Sequence, residues 1–512
     1  MKFYVTTPLY YVNDLPHIGH SYTNVAADTL ARYKRLTGYD VFFLTGTDEH
    51  GQKIEKSANE KGETPQQLAD RVVKNFKDLW ERLNISNDDF IRTTEERHQK
   101  AVESFFLKIH KEGKYKESIY RGKYKGWYCI SCETYCPEGQ IENQRCSSCG
   151  RQLEWLEEEG YFFRMSDYAQ DLLEYLEKNP EFIMPENRRQ EIINIIKGGL
   201  KDLNISRSTF DWGIPVPLIP DENSDRNEVI YVWFEALINY ITAAGYVSDE
   251  ERFKKLWPVD VHLVGKDILK FHAIIWPIML LAAGLDLPKK VFAHGWWTVD
   301  GKKMSKSLGN VFDPNKVIDE VGVDAYRYFL LREMPFGLDG DYSYEGLIHR
   351  INSDLANDLG NLVSRTLSMI QRYVEGIVPE PSSDAEELKE IALGLFNQVD
   401  KAFDNLQFNV ALDHIWKLVR RCNKYVDETA PWTLKEDRLK LNTILYNLAE
   451  AIRFITIYIS PFMPDSATKI WQQLGIQETI SSFGTKGLTQ WGLLKPGTKI
   501  NQVTPIFPRI LI

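Results

Sequence analysis

Hydrophobic and polar positions repeat with two different periods along this chain. Lys2 to Thr7 is a β-prone run (Phe3, Tyr4, Val5, Thr6), and Asp40 to Thr45 is a second (Val41, Phe42, Phe43, Leu44). Between them Tyr22, Val25, Ala26, Thr29, Leu30 and Tyr33 fall at helical spacing, and Gly38 is the helix stop. Strand, helix, strand predicts a βαβ unit with a right-handed crossover in a parallel sheet. Residues 65–112 predict helix, with Leu68, Val72, Phe76, Leu79 and Trp80 on one stripe. The aromatic, basic stretch Ile119 to Tyr128 breaks that pattern. Residues 167–210 hold another helix (Tyr168, Leu172, Leu173, Leu176) and a segment with Arg188, Arg189 and Ile192 to Ile196, and Trp212 to Pro217 is a proline-punctuated loop. Val229 to Phe234 and Val261 to Val264 predict strands, a helix follows with Phe271, His272, Ile275 and Trp276, and Val291 to Ala293 is the last strand expected. Beyond Tyr344 the period is helical throughout: Leu355, Leu359, Leu362, Val363 and Ile370 form a stripe, and further helices are expected over 384–404, 408–426 and 434–459. That region predicts a helical bundle, with a Gly- and Pro-rich tail from Phe483 packing back on the body.

Length adds a domain count: 512 residues suggest roughly three domains. Hydrophobic content of 43% is that of a globular protein with sizeable cores. The most apolar run, Phe271 to Leu285, is too short and too interrupted to span a bilayer. The N-terminus opens on a strand without a signal or transit pattern, so cytoplasmic residence is the expectation. A net charge of −10 argues weakly against a nucleic-acid partner, but it hides basic patches at Lys114 to Lys125 and at Arg420, Arg421 and Lys424.

The cysteines change the picture most. Five of the six lie between Cys129 and Cys149. Cys129-Ile-Ser-Cys132 and Cys146-Ser-Ser-Cys149 are paired CxxC turns thirteen residues apart, a spacing that brings four thiolates into tetrahedral reach of one zinc ion. Four thiolates close the coordination shell, so the role expected is structural. Cys136 either replaces one ligand or is a buried thiol.

Two further segments carry candidate chemistry. His17 and His20 share one face of a helix's first turn, where backbone N–H groups and the helix dipole favour an anion, and Gly19 lets a large ligand approach. Far downstream, Lys302-Lys303-Met304-Ser305-Lys306-Ser307 lies on a glycine-flanked loop able to fold over a polyphosphate. Asp48, at the end of the second strand, suits an ammonium group in the same crevice, and Asp267, at another strand end, suits ribose hydroxyls. ATP fits this set, with Mg²⁺ as its counter-ion. Attack of a carboxylate on the α-phosphate needs positioning and charge stabilisation, which His17, His20, Lys303 and Lys306 supply in this reading.

His17-Ile18-Gly19-His20 and Lys303-Met304-Ser305-Lys306-Ser307 resemble the two signatures of class I aminoacyl-tRNA synthetases. Thr7-Pro8-Leu9-Tyr10-Tyr11, Thr45 to Gly51, Tyr231 to Ala236, Phe271-His272 with Trp276-Pro277, and Ala430-Pro431-Trp432 resemble the methionyl-tRNA synthetases over essentially the whole chain. The resemblance implies a Rossmann-like parallel-sheet catalytic domain in two halves (1–118 and 201–345), an inserted zinc-knuckle domain (119–200) and an all-α anticodon-binding domain (346–512). It implies ATP contacts from Gly19, Asp267, Lys303, Ser305 and Lys306. It implies a methionine pocket from Leu9, Tyr11, Asp48, Trp233, Ala236, Leu237, Tyr240, Ile268 and His272, with Tyr11 and His272 facing the thioether. Anticodon contacts fall on Asn361, Arg365 and Trp432. The partners implied are ATP, L-methionine and tRNA(Met), initiator and elongator. Many family members carry an appended dimerising domain after the bundle; none is visible before Ile512, so a monomer is expected.

Three rival readings stand beside this one, the first being another class I enzyme, for an aliphatic amino acid or for cysteine. A class I enzyme for leucine, isoleucine or valine needs a large editing insertion, because one methylene discriminates by only ~1–3 kcal/mol, and the stretch between the sheet halves is too short for it. A cysteine enzyme needs zinc open to its substrate. A non-catalytic zinc-containing RNA-binding protein does not need His17, His20, Lys303 and Lys306, and a small-molecule nucleotidyltransferase does not need the helical region.

Overall fold

The computed structural model describes residues 1–13, 15–130, 134–136, 141, 143–147, 150–219, 228–299, 302–303, 313–383 and 385–511. Its centre is a six-stranded parallel sheet. β1 (Lys2–Tyr11), β2 (Asp40–Asp48) and β3 (Asp89–Arg92) form one half, and Val261–Gly265, Val291–His294 and Ile183–Met184 the other, in the order β3, β2, β1 and then those three. β1 and Val261–Gly265 meet where the chain order reverses, Val5 opposite Val261. Ligands of such sheets bind beyond the carboxyl ends of the strands at that point. The register places Tyr11 opposite Asp48 at those ends. α1 (Ile18–Leu36) makes the crossover, and the stripe expected for it is its buried face: Tyr22, Val25, Ala26, Thr29, Leu30 and Tyr33 are all buried. The α/β body and the parallel sheet are therefore as the hydrophobic pattern predicts.

Three segments differ from expectation, each for a local reason. Residues 65–112 are two helices, Pro65–Arg82 and Glu96–Glu112, with edge strand β3 between them. The strand is four residues long and charged at both ends, so no alternation announces it. Val229–Phe234 is strand only at Val229–Ile230; Val232–Leu237 is a helix buried on all sides, which erases the helical period. Val291–His294 is not the last strand. Trp297–Val299 pairs antiparallel with Lys302–Lys303 and parallel with Gly340–Tyr342, a small sheet of short strands.

Between the halves of the central sheet, Ile119–Cys129 and Glu154–Phe163 form a long antiparallel pair flanked by Thr134–Cys136 and Leu203–Asn204. The basic stretch lies here, and its charge is spent locally: Lys123 pairs with Glu159, Lys125 with Glu157, Arg121 with Glu228 and Lys114 with Asp171. Ile183–Met184, within the span expected to be insertion, pairs instead with Val291–Phe292 of the central sheet.

Helices Tyr344–Arg350, Asn361–Tyr373, Glu386–Asp404, Phe408–Thr429 and Arg438–Ile459 build the helical region, followed by Pro464–Gln473. One apolar core runs from the α/β body (Val5, Leu30) into this bundle (Leu412, Leu445). The second basic patch is also neutralised: Arg421 pairs with Glu387 and Glu428, and Arg420 with Asp358. The tail returns as expected, with Ile500 N–H donating to Gly376 O and Tyr446 Oη to Leu494 O. It also carries the helix Ile480–Thr489, kinked at Gly484. Among the described residues no helix is long and apolar enough to cross a membrane.

Candidate active site

His17 and His20 open α1, but not as two groups added to free backbone donors. His17 Nδ1 accepts the Gly19 N–H at 3.1 Å, and His20 Nδ1 accepts the His17 N–H at 3.2 Å. The rings stack with centroids 3.8 Å apart. Two backbone donors expected to be open to an anion are thus already taken. Because each Nδ1 accepts, the ring protons sit on Nε2, and the donors left are the two Nε2–H groups. Gly19 serves this arrangement: a Cβ there would lie 3.0 Å from His17 Cε1. His20 lies against Tyr10 and Phe76. Burial, then the nearby His17 and Lys53, hold it well below the ordinary imidazole range, so it is neutral at physiological pH. Lys53 lies over the Tyr11 ring at 5.0 Å.

Beside this pair the strand ends and the Val232–Leu237 helix converge. Leu9 and Tyr11 come from β1 and Asp48 from β2. Trp233 meets Tyr11 edge to face at 6.3 Å, and stacks flat on Phe271 at 3.8 Å. Its ring centroid is 6.4 Å from that of His272. Ala236 and Leu237 follow on the same helix. His272 Nδ1 donates to Ile268 O at 3.1 Å, so Nε2 accepts from Tyr240 Oη at 2.8 Å. Both imidazole nitrogens are engaged. Burial lowers its pKa to about 4, so the pocket is faced by a neutral ring. Of the nine pocket residues expected from the sequence, Tyr11, Trp233, His272 and Tyr240 are joined by direct contacts, and Asp48 lies opposite Tyr11 at the strand ends.

Asp267 follows the strand Val261–Gly265, and Gly265 makes room for it: a Cβ there would lie 2.7 Å from Asp267 Oδ1. That oxygen accepts from Trp296 Nε1 at 2.9 Å. Lys266 lies over the Trp296 ring at 4.1 Å and pairs with Asp339 at 2.5 Å. Nothing in the sequence pointed to Trp296, which merely precedes the lysine-rich loop. Ser305 and Lys306 lie outside the described residues, as does the Lys303 side chain; the Lys303 backbone pairs with Thr298.

A buried pair was also missed. His50 Nδ1 donates to both Glu235 oxygens, at 2.9 and 3.1 Å. The available signal was a glutamate inside the otherwise apolar run Val232 to Leu237.

In the insertion, Cys132 and Cys149 lie outside the described residues. Cys129, Cys136 and Cys146 share a small core with Leu153. Burial, together with the neighbouring Cys146 and Cys129, pushes the Cys136 thiol up to about 12. Among the described residues no group of three or more metal-ligating side chains is placed to hold an ion.

In the bundle, Asn361 and Arg365 are one turn apart on Asn361–Tyr373. Arg365 lies 5.9 Å from the Trp432 ring centroid and pairs with Asp427 at 2.9 Å. Trp432 is 43% exposed, unusual for a tryptophan and open to a stacking partner.

Comparison with known proteins gives a consistent result. Residues 3–367 match the model of the tRNA synthetases class I (M), and residues 392–491 match that of the anticodon-binding domain of tRNA ligase. The chain is 56% identical over 515 residues to a methionine–tRNA ligase of Caldanaerobacter subterraneus subsp. tengcongensis, covering 99% of this chain and 79% of that one. It is 51% identical over 521 residues to a methionine–tRNA ligase of Clostridium tetani, covering 99% and 78%. The structure of Mycobacterium tuberculosis methionyl-tRNA synthetase in complex with methionyl-adenylate superposes with a TM-score of 0.94 at 43% identity, covering 99% of this chain and 100% of that one.

Proposed function

The chain belongs to the methionyl-tRNA synthetases, class I tRNA synthetases, and from that premise we propose how its residues do the work. It activates L-methionine with ATP to methionyl-adenylate and pyrophosphate, then transfers methionine to the 3′ end of tRNA. The observation that carries the residue assignment is the convergence of Asp48, Tyr11, Trp233 and His272 beside the stacked His17–His20 pair.

In this reading Asp48 takes the α-ammonium of methionine. The methionine carboxylate attacks the α-phosphate in line with the leaving pyrophosphate. His17 and His20 donate from Nε2 to the phosphate oxygens, and they do so as neutral groups, so no proton has to leave or arrive. Gly19 and Ser305 lie along the triphosphate, and Lys303 and Lys306 hold the charge that develops on pyrophosphate. Asp267 meets the ribose hydroxyls, exchanging its bond to Trp296 for them. Mg²⁺ bound with ATP would supply neutralisation of the phosphate charge. Leu9, Trp233, Ala236, Leu237, Tyr240 and Ile268 wall the side chain. With both nitrogens of His272 engaged, the thioether meets carbon and ring faces, where sulfur–aromatic contacts contribute ~0.3–1.5 kcal/mol each.

Asn361, Arg365 and Trp432 read the tRNA(Met) anticodon, of initiator and elongator alike, by base-edge hydrogen bonds and stacking. Cytoplasmic residence goes with a role in translation. The domains in this reading are a catalytic body in two halves (1–118 and 201–345), an insertion within 119–200 from which Ile183–Met184 returns to the central sheet, and an anticodon-reading bundle over 346–512. Cys129, Cys132, Cys146 and Cys149 would hold one structural zinc. What supports this is that two of these thiols, Cys129 and Cys146, are buried in a core of a few residues, too small to fold unaided. The metal would fix the knuckle beside the crevice and take no part in the reaction.

The test is amino-acid-dependent ATP–pyrophosphate exchange with each of the twenty amino acids. Exchange with methionine alone is expected, and its loss in Asp48→Asn ties it to this pocket. Exchange unaffected by Asp48→Asn and Trp233→Ala would overturn the residue assignment.

A further inference from the structure

The segment Asp48 to His50 and the Val232–Leu237 helix are 185 residues apart in sequence and joined by one buried pair, His50 with Glu235. Their side chains are 4% and 0% exposed. Against the burial that lowers it, the Glu235 carboxylate raises the His50 pKa. An ion pair at that depth gives little net stability, and apolar side chains would fill the space as well. Its geometry is more informative than its strength. His50 is two residues beyond Asp48, and Glu235 stands between Trp233 and Ala236. On the strand side the anchor is rigid: buried Glu49 accepts from Arg92 Nε at 2.7 Å, Thr94 Oγ1 at 2.6 Å and Thr47 Oγ1 at 2.7 Å. Trp212 donates its indole N–H to Glu49 O at 2.6 Å and packs its ring against His50 at 5.3 Å. Glu235 is thus the link that ties this anchored strand end to the helix carrying Trp233.

We propose that His50 and Glu235 are positioning residues that set the span between Asp48 and Trp233, and with it the ability of the pocket to grip the ammonium and the thioether of one methionine together. Neither touches substrate. The inference rests on the reading of Asp48 and Trp233 as pocket residues. In any one bound rotamer methionine has a single distance from ammonium to sulfur, so a loosened helix weakens methionine binding while the ATP site, built on α1 and on the loops after other strands, keeps its geometry. Misplacement of positioned groups by about one ångström can cost ~10²-fold in rate, and a two-point grip on the substrate is similarly sensitive.

Exchange kinetics with methionine and ATP varied separately, together with melting temperature, test this in Glu235→Gln, His50→Gln, the double variant and Glu235→Asp. Glu235→Gln keeps the volume and one acceptor but removes the charge. It is expected to raise KM for methionine about tenfold and to leave KM for ATP within about twofold. His50→Gln removes the cationic partner of the buried Glu235 carboxyl and is the worst single variant. The double variant, uncharged and able to form an amide hydrogen bond, recovers most of the methionine affinity. Glu235→Asp keeps the charge, shortens the tether by one methylene and raises KM for methionine even if the other variants do not fold. A fall in melting temperature with both KM values unchanged, or equal rises in both, would overturn the proposal. Asp48→Asn separates the two levels. If it leaves KM for methionine unchanged, the pocket reading fails; if it raises KM while the Glu235 variants do not, only the positioning role fails.

Discussion

Tyr33 lies flat on Phe403, with ring centroids 3.9 Å apart and planes 4° from parallel. The contact docks the last turns of α1 on the helix Glu386–Asp404, and Tyr33 Oη to Asp400 and Lys34 to Asp404 extend it. The same 19-residue helix begins at the two histidines. At 1.5 Å per residue it spans about 28 Å, so the phosphate end of the active site and the bundle are two ends of one rod.

Arg327 locks that junction. It is fully buried and donates to Asp28 Oδ2 at 2.7 Å, Phe462 O at 2.9 Å, and Leu83 O and Pro461 O at 3.0 Å. Arg327→Met strands a buried carboxylate and three carbonyls, and is expected to cost about 3–5 kcal/mol in urea unfolding. A cost below about 1 kcal/mol would mean that Asp28 is satisfied by Arg32 and Ser86 alone.

His20 has a structural and a chemical part that separate experimentally. His20→Ala loses the bond to His17 N–H, worth about 1 kcal/mol as a helix cap, and is expected to lower melting temperature slightly. It also loses an Nε2–H donor to the transition state, an expected 10²–10³-fold fall in single-turnover adenylate formation on the scale of one oxyanion donor. A rate that falls only as far as stability does would leave His20 as a cap.

Acid weakens the fold through its buried imidazoles. Burial lowers the pKa of His98 to about 3 and that of His272 to about 4, and holds His262 well below the ordinary range. Unfolded, each titrates near 6.5. As pH falls from about 6.5 toward 4 the unfolded chain takes up protons that the folded one refuses, so stability present above 6.5 is lost, roughly 1.4 kcal/mol per pH unit per group. His50 works in the other window: its raised pKa adds stability below 6.5 that goes as pH rises through the folded value. Melting temperature against pH is expected to fall on the acid side, and His98→Gln to flatten that slope. An unchanged slope would mean that the acid loss has another source.

Trp432→Ala removes an exposed stacking face 5.9 Å from Arg365. A loss of ~1–3 kcal/mol in tRNA aminoacylation is expected, with methionine-dependent exchange preserved. Equal losses in both would make the residue structural.

Native mass spectrometry is expected to find one zinc per chain, lost in Cys129→Ser. Retention of the metal in that variant would move the ligand set toward Cys136.

What was legible in the sequence follows physical rules. β1, α1 and β2 were readable because each is long and buried on a regular face. β3 was not, being four residues with Asp89 and Arg92 at its ends, and the Val232–Leu237 helix read as strand because all six residues are buried. The site was legible where it is written locally, as in His17 with His20 and in Asp48 at a strand end. It was not legible where chemistry depends on partners far apart. The proton positions on His17 and His20 come from backbone bonds, and the role of Glu235 depends on a histidine 185 residues away.

The insertion leaves and re-enters the body at one place: Ile119 pairs with Phe163, and Arg164 N–H donates to Ser118 O at 2.9 Å. Its two ends are thus pinned to each other. Residues added to or removed from its far end lengthen a hairpin and leave the spacing of the sheet halves unchanged, and loop length enters stability only logarithmically. In evolutionary terms this makes the length of the insertion a free variable, able to drift between lineages while the crevice is inherited intact.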